Sequence, residues 1–245
     1  MRVAVPREIR DGEKRVALVP DIINKLTKLG YDVVIESGAG VHAQATDDLF
    51  TAAGATVKSG NVISDADVVL CVTSLTPAQI SSLKKGAVTI SFLSPVTAVD
   101  SIDAAVTAGV TAFSLELVPR ISRAQSMDAL TSQALCAGYR TVLIAAERAP
   151  KFFPMLMTAA GTIPAAKILV LGAGVAGLQA IATAKRLGAV IEASDVRPAA
   201  KEQIESLGAK FVDVPYETDE EREIAQGVGG YARPMPEAWM KRQAA

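Results

Sequence analysis

The 245-residue sequence contains few of the residues that most often carry enzyme chemistry. It has one histidine, His42, two cysteines and one tryptophan, and aromatic residues make up 4% of the chain. A single histidine leaves no histidine pair or Cys/His spacing of the kind that binds a metal ion. It also disfavours oxidation of an alcohol or amine, which usually needs a histidine or lysine to accept a proton. His42 lies in a loop and is interpreted as a solvated side chain.

The sequence also lacks a surplus of basic charge and a disulfide framework. Lys and Arg together number 25 and Asp and Glu 26, and no basic cluster alternates with aromatic residues. Nucleic acid is therefore not expected as a partner. Cys71 lies in an apolar strand pattern and Cys136 in a helical pattern, so both are predicted to be buried, reduced thiols.

No stretch of the sequence is predicted to cross a membrane or to direct secretion. The longest uncharged run, residues 168–184, contains three glycines that divide it into a strand and a helix. No charged and then apolar leader precedes the first predicted strand, which predicts a cytoplasmic protein. Any association with a membrane is expected to be peripheral and to depend on a partner.

The most informative stretch reads KILVLGAGVAGLQAIATAKRLGAVIEASDVR and combines a strand, a glycine-rich turn, a helix and a second strand. Gly172 permits the tight turn, Gly174 lets the backbone approach a pyrophosphate, and Gly177 lets the helix pack closely on the strand. The helix N-terminus, which includes Val175 and Ala176, offers free N–H groups and a positive dipole end to phosphates. The pattern predicts a dinucleotide site, although a glycine-lined crossover that binds nothing would carry the same glycines.

An acidic residue follows the second strand at the distance expected for such a site. Asp195 lies about 20 residues beyond the glycines, where a carboxylate can accept hydrogen bonds from both hydroxyls of an adenosine ribose. Arg197 could instead pair with the 2′-phosphate of NADP(H), but Asp195 would repel that phosphate. NAD(H) is therefore the predicted cofactor, with no metal ion.

Strand and helix patterns alternate along the chain, which predicts an α/β fold with parallel sheets covered on both faces. The strands predicted in the first half are 2–5, 32–36, 66–72, 87–93 and 110–115. The second half has strands at 168–171 and 190–194 and a candidate third at 210–214, whereas a complete dinucleotide fold has about six. We therefore predict two doubly wound, Rossmann-like domains flanking a cleft, the second of them incomplete. The predicted segments are an N-terminal domain without a glycine fingerprint (1–125), a connecting helix (126–150) and an NAD-binding domain (151–245).

A polar stretch, VPRISRAQSMD, joins the two predicted domains at the start of a long apolar helix. Ser122 and Gln125 have the spacing of a capping box, Asp128 could complement the helix dipole, and Arg120 could be a surface charge. A polar loop between two α/β domains nevertheless faces the cleft, where substrates commonly bind. This location favours a functional role for Arg120, Gln125 and Asp128.

With these motifs the whole chain resembles the NAD(H)-binding component, or domain I, of proton-translocating nicotinamide nucleotide transhydrogenase. That component shares a superfamily with alanine dehydrogenase. The most specific matches are PRISRAQSMD, AGYR at 137–140, MTAAGT at 157–162, the glycine motif with SDVR, and GGYA at 229–232. The RAQSMD and GGYA elements are much more specific than the glycine motif.

The resemblance implies a role for particular residues. The residues implied beside the nicotinamide, taken as catalytic, are Arg120, Gln125, Asp128 and Thr131, the last in place of a family serine. The residues implied to bind the cofactor elsewhere are Tyr139, Asp195, Val196, Arg197 and Tyr231, together with the glycine motif. Tyr231 matches the tip tyrosine of a mobile loop that closes over the nucleotide. An ordinary flexible connector is the alternative interpretation of residues 226–236.

The activity implied by the resemblance is direct hydride transfer between NAD(H) bound here and NADP(H) bound by a partner component. It further implies coupling to proton translocation through a membrane component, homodimerisation, and a peripheral position at the inner membrane. The family's chains continue beyond Ala245, so the sequence would be a piece of a longer polypeptide or one segment of a split one. An NAD-binding module without turnover remains a further possibility.

Alanine dehydrogenase is the main alternative within the same superfamily. It relies on a lysine and a histidine at the positions that are Thr73 and Ser94 here. Neither side chain serves as an acid or base near neutral pH, although Arg15 still matches the arginine that binds the substrate carboxylate. Hydride transfer between two nicotinamides needs no such group, because it releases no substrate proton. The substitutions therefore favour a transhydrogenase.

Overall fold

The computed structural model describes residues 1–119, 121–226 and 233–245, and the chain divides into two compact units, Met1–Ala129 and Leu130–Ala245. Two of the predicted site residues, Arg120 and Tyr231, lie outside the described residues. Their predicted roles therefore stay predictions.

The first unit is built on a six-stranded parallel sheet in the order β3-β2-β1-β4-β5-β6. Its strands are β1 (Arg2–Val5), β2 (Asp32–Glu36), β3 (Thr56–Lys58), β4 (Val68–Thr73), β5 (Val88–Phe92) and β6 (Thr111–Ser114). Its helices are α1 (Pro20–Lys28), α2 (Asp47–Ala52), α3 (Pro77–Ser81) and α4 (Val99–Ala108). The central strands are buried because their apolar runs contact helices on both faces. The predicted doubly wound fold is confirmed, with β3 as a strand that the pattern did not predict.

The second unit contains a three-stranded parallel sheet in the order β11-β10-β9 and a separate antiparallel hairpin. The hairpin strands are β7 (Leu156–Thr158) and β8 (Gly161–Ile163), and the sheet strands are β9 (Lys167–Leu171), β10 (Val190–Ser194) and β11 (Lys210–Phe211). The helices are α5 (Ala129–Arg148), α6 (Val175–Arg186), α7 (Ala200–Ser206), α8 (Asp219–Gln226) and α9 (Glu237–Ala244). A core around Ile181, Ile191 and Ile204 joins α6 and α7 to the sheet.

Two local predictions were wrong. Residues Ser122–Met127 form a 3-10 helix whose N-cap, Ile121, makes no side-chain cap hydrogen bond, so the Ser122 capping box is not formed. Cys71 is buried as predicted, but Cys136 is exposed. The buried residues of α5 are Gly138 and Val142, and Cys136 lies two positions before Gly138, which turns it to the opposite face of the helix.

In the part of the chain that the structure describes, no helix is both long enough and apolar enough to cross a bilayer. Over the same residues, no group of three or more His, Cys, Asp or Glu side chains is placed to hold a metal ion.

Candidate functional site

The glycine-rich turn joins the end of β9 to the start of α6. Gly172 has a φ of +91°, which disfavours any residue with a side chain, and its N–H donates to the Ser194 carbonyl at 2.8 Å. A Cβ added to Gly177 would lie 1.8 Å from the Gly172 carbonyl oxygen. Both glycines are therefore required by the fold itself.

Gly174 differs from these two glycines. It is the N-cap of α6 with a φ of −72°, which any residue can adopt, and a Cβ built on it meets nothing within 4 Å. Among the glycines in the described residues, it alone combines an ordinary φ with open space. Neither backbone strain nor packing explains a glycine here, so the space beside Gly174 is available to a ligand. Val175 and Ala176 follow it in the first turn of α6.

The AGYR segment of α5 packs against this same turn. A Cβ added to Gly138 would lie 2.2 Å from the Ala176 carbonyl oxygen, so α5 approaches the start of α6 through a side chain reduced to hydrogen. Tyr139, the next residue, is half exposed. The sequence indicated this segment only by resemblance, whereas its packing role follows from the structure.

Asp195, at the end of β10, has every acceptor position of its carboxylate occupied. Its Oδ2 accepts from the Ala173 N–H at 2.6 Å, and its Oδ1 accepts from the Arg197 N–H at 2.8 Å. The Arg197 guanidinium adds a fork, with Nε 2.9 Å from Oδ1 and Nη2 3.0 Å from Oδ2. Nη2 also donates to the Ala173 carbonyl at 3.2 Å. The predicted ribose-binding residues and the glycine turn are thus brought together.

These contacts also set the protonation of Asp195. Burial raises its pKa, but the hydrogen bonds from the Arg197 side chain and from the Arg197 and Ala173 N–H groups outweigh burial, so the net pKa lies below its ordinary value. A carboxylate with a lowered pKa in the folded state stabilises the fold above its unfolded pKa of about 3.9.

We expect Asp195→Asn to lower the free energy of unfolding at neutral pH and to lose this difference as the pH falls below about 4, through the lowered pKa of the folded state. Urea unfolding at a series of pH values measures the difference. Glu192→Gln, at an exposed carboxylate of the same strand, is the control and should show a much smaller change. A difference for Asp195→Asn that stays constant from neutral pH to about pH 2 would contradict the role assigned to the charge.

Val196 is held by a small apolar cluster of the last two helices. Its carbonyl accepts a hydrogen bond from the Tyr216 hydroxyl, and its side chain packs against a cluster that contains Ile224, Met235 and Trp239. Sequence reasoning did not identify Tyr216 or Trp239 as supports of the site. Their only signal was that large aromatic residues are rare in this chain.

The polar junction places two of its predicted residues in one turn. Gln125 is exposed in the 3-10 helix, and its carbonyl accepts from the Asp128 N–H at 3.2 Å. Asp128 ends this helix and is half-buried, and Thr131 lies in the first turn of α5. Gln125 and Asp128 are therefore neighbours, as their spacing predicted.

The carboxyl ends of β4 and β5 are held by carboxylates of the same unit. Glu8 accepts from the N–H groups of Val72 at 2.6 Å and Thr73 at 3.1 Å, and from the Thr73 hydroxyl at 2.5 Å. Glu116 accepts from the N–H groups of Leu93 and Ser94. Thr73 and Ser94, where alanine dehydrogenase would carry its lysine and histidine, are thus bound into structural contacts.

Arg15 is bound in a similar way. Its Nη2 donates to Glu13 at 2.6 Å, and its guanidinium lies 6.0 Å from the centre of the Phe92 ring. The Arg15 hydrogen bond lowers the pKa of Glu13 to about 2 despite partial burial. His42 is exposed, in agreement with its interpretation as a solvated side chain.

Two family models match the chain almost from end to end. The alanine dehydrogenase/PNT N-terminal domain matches residues 4–137, and the C-terminal domain of the same family matches residues 141–230. Among curated proteins, the first of the separate parts of NAD(P) transhydrogenase subunit alpha from Rhodospirillum rubrum is 51% identical over the whole chain. This chain spans 65% of that relative's length. The NAD(P) transhydrogenase subunit alpha of Cereibacter sphaeroides is 44% identical, again over the whole chain, which spans 47% of that protein.

Solved structures show the same relationship. A transhydrogenase structure from Sinorhizobium meliloti has a TM-score of 0.85 and 51% identity, covering 87% of this chain and 64% of that one. An L-alanine dehydrogenase structure has a TM-score of 0.77 and 25% identity, covering 99% of this chain and 71% of that one. Both branches of the family therefore share the fold, and the sequence is more similar to the transhydrogenase branch.

Proposed function

This chain belongs to the alanine dehydrogenase/PNT family, and from that premise we propose that it is the NAD(H)-binding part of an NAD(P) transhydrogenase. The proposed activity is direct hydride transfer between NAD(H) and NADP(H). Because the chain spans 65% of the Rhodospirillum rubrum relative, this activity is proposed for an assembly to which the chain contributes.

The observation that carries the proposal is the geometry around Gly174. The turn brings an unhindered glycine to the N-terminus of α6, where free N–H groups and the helix dipole favour phosphate. Asp195 lies beside the same turn, bonded to Ala173, so a carboxylate suited to ribose hydroxyls stands next to the phosphate position. The residues present therefore fit NAD(H).

Each group of residues has a separate task in this proposal. The bound cofactor supplies a hydride donor or acceptor at its nicotinamide. The N-terminus of α6 binds the pyrophosphate, and Asp195 with Val196 and Arg197 forms the adenosine side of the site. The residues proposed to orient the nicotinamide are Arg120, Gln125, Asp128 and Thr131. Tyr139 and Tyr231 are proposed to contact the nucleotide elsewhere.

The contacts at Thr73 and Ser94 support transhydrogenation over alanine oxidation. Alanine oxidation needs a group that accepts a proton as hydride leaves, and these two side chains titrate far from neutral pH. Glu8 and Glu116 bind the turns that contain them, which fixes these turns as structural elements. Hydride transfer between two nicotinamides requires only that the rings be positioned.

The proposal includes partners that the activity requires. NADP(H) is held by a separate component, and proton translocation takes place in a membrane component, which brings this chain to the inner membrane as a peripheral subunit. A homodimer is the proposed oligomeric state. The name of the Rhodospirillum rubrum relative describes one of several separate pieces of a subunit alpha, and a protein built from several chains supports this arrangement.

We expect the chain, mixed with the NADP(H)-binding component of a related transhydrogenase, to exchange hydride between NADH and an oxidised NADP analogue. Absorbance of the reduced analogue measures the exchange. L-alanine with NAD should give no NADH above background, because Thr73 and Ser94 cannot accept the proton.

NADH binding without exchange would instead indicate a nucleotide-binding module without turnover. NADH formation that depends on alanine would establish the dehydrogenase. The matched control is the same mixture without the NADP(H)-binding component, in which the analogue should stay oxidised.

A further inference from the structure

The guanidinium of Arg197 occupies the part of Asp195 that a ribose would use. A carboxylate has about four acceptor positions, and here two bind backbone N–H groups and two bind the Arg197 fork. The Asp195 side chain is 6% exposed and Arg197 is 28% exposed, so the fork lies on the outer side of the pair. The backbone donors are fixed by the turn, whereas the guanidinium is carried on a flexible side chain.

We infer that the Arg197 guanidinium is a stand-in for the ribose diol, which leaves Asp195 when the nucleotide binds. A guanidinium fork and a vicinal diol each present two neighbouring donors to two carboxylate oxygens. The two backbone N–H bonds to Asp195 can persist during the exchange because they come from Ala173 and from the main chain of Arg197. This inference rests on the proposed function and adds a positioning residue to it.

The exchange has a consequence for nucleotide selection. A buried carboxylate that loses its cation must regain donors, and an unmodified ribose supplies two hydroxyl donors. A ribose with a 2′-phosphate supplies one hydroxyl and adds negative charge beside Asp195. The Arg197 fork therefore makes each nucleotide compete for Asp195, and only a free diol replaces both bonds.

The inference predicts opposite effects on stability and on affinity. Removing the fork by Arg197→Ala should lower the melting temperature of the nucleotide-free protein by about 5 °C, because Asp195 stays buried without its cation. The same change should leave the NADH dissociation constant unchanged or smaller, and at most about twofold larger, since no fork has to be displaced. Quenching of the single tryptophan, Trp239, by NADH reports binding.

Two further variants separate the fork from its charge. Arg197→Lys keeps the positive charge but cannot bond both carboxylate oxygens in a fork, so it should behave like Arg197→Ala in both measurements. Asp195→Asn should weaken NADH binding by about tenfold or more, because the amide offers only one acceptor oxygen.

NADH binding that weakens more than about twofold in Arg197→Ala would overturn the inference, since Arg197 would then hold the nucleotide itself. An unchanged melting temperature of the nucleotide-free variant would overturn it as well, as would Arg197→Lys behaving like the unchanged protein. The proposed function is tested separately by the unchanged protein: if it fails to bind NADH, the proposed function itself is wrong. If it binds NADH but the variants behave otherwise than stated, only the stand-in role fails.

Discussion

Gly174→Ala is expected to weaken NADH binding by about 100-fold, or about 2.7 kcal/mol, while the nucleotide-free protein unfolds at an unchanged temperature. The methyl group enters space that no protein atom within 4 Å occupies, so folding should be unaffected. The same methyl group would stand between the backbone and a pyrophosphate, and the charge-assisted N–H bonds to phosphate would be lost. Titration of Trp239 fluorescence with NADH, together with thermal unfolding, measures both quantities.

The neighbouring glycine is the matched control for this prediction. Gly177→Ala should lower the melting temperature by several degrees, because its Cβ would lie 1.8 Å from the Gly172 carbonyl and overpacking costs about 1–3 kcal/mol. The two variants add the same methyl group three residues apart in the same turn. If Gly174→Ala also loses stability, or keeps its NADH affinity, Gly174 does not mark the phosphate position.

The parts of the site that lie close together in sequence could be predicted from sequence alone. The glycine turn follows a strand and opens a helix, and its geometry is fixed by local backbone chemistry, so the positive φ of Gly172 and the close packing of Gly177 agree with their predicted roles. The parallel strands were recognisable because buried strands read as short apolar runs between turns. Asp195 lies beside the turn, as predicted, because its distance from the glycines is set by the length of α6 and β10.

The features that depend on tertiary contacts could not be predicted. No local pattern indicates that Arg197 fills the acceptor positions of Asp195, or that Glu8 reaches from the end of β1 to Thr73. The exposure of Cys136 was missed because an apolar helix pattern does not specify which face is covered. The hairpin of β7 and β8 lies within a segment recognised only by resemblance, since its strands are three residues each and carry little periodicity.

Gln125→Asn is expected to slow hydride exchange by roughly 100-fold while NADH affinity changes by less than about twofold. The substitution keeps the amide and shortens the side chain by one methylene, which misplaces the amide by about 1 Å. Gln125 is exposed in a 3-10 helix, so the shortened side chain leaves the core of its unit unchanged. In the proposed function, the amide orients the nicotinamide, and the larger binding contribution comes from phosphate and ribose contacts at the other end of the cofactor.

Ser126→Ala, at the adjacent exposed position of the same 3-10 helix, is the control and should change neither rate nor affinity. Single-turnover exchange with saturating NADH separates the rate of transfer from binding, because the dissociation constant is measured independently by Trp239 fluorescence. Equal losses of rate and affinity in Gln125→Asn would show that this residue supports the fold or binds the cofactor uniformly. An unchanged rate would remove Gln125 from the transfer site, and the junction would then act only as the connection between the two units. A selective loss of rate would support positioning of the nicotinamide, the task expected of a site that carries out hydride transfer without an acid or a base.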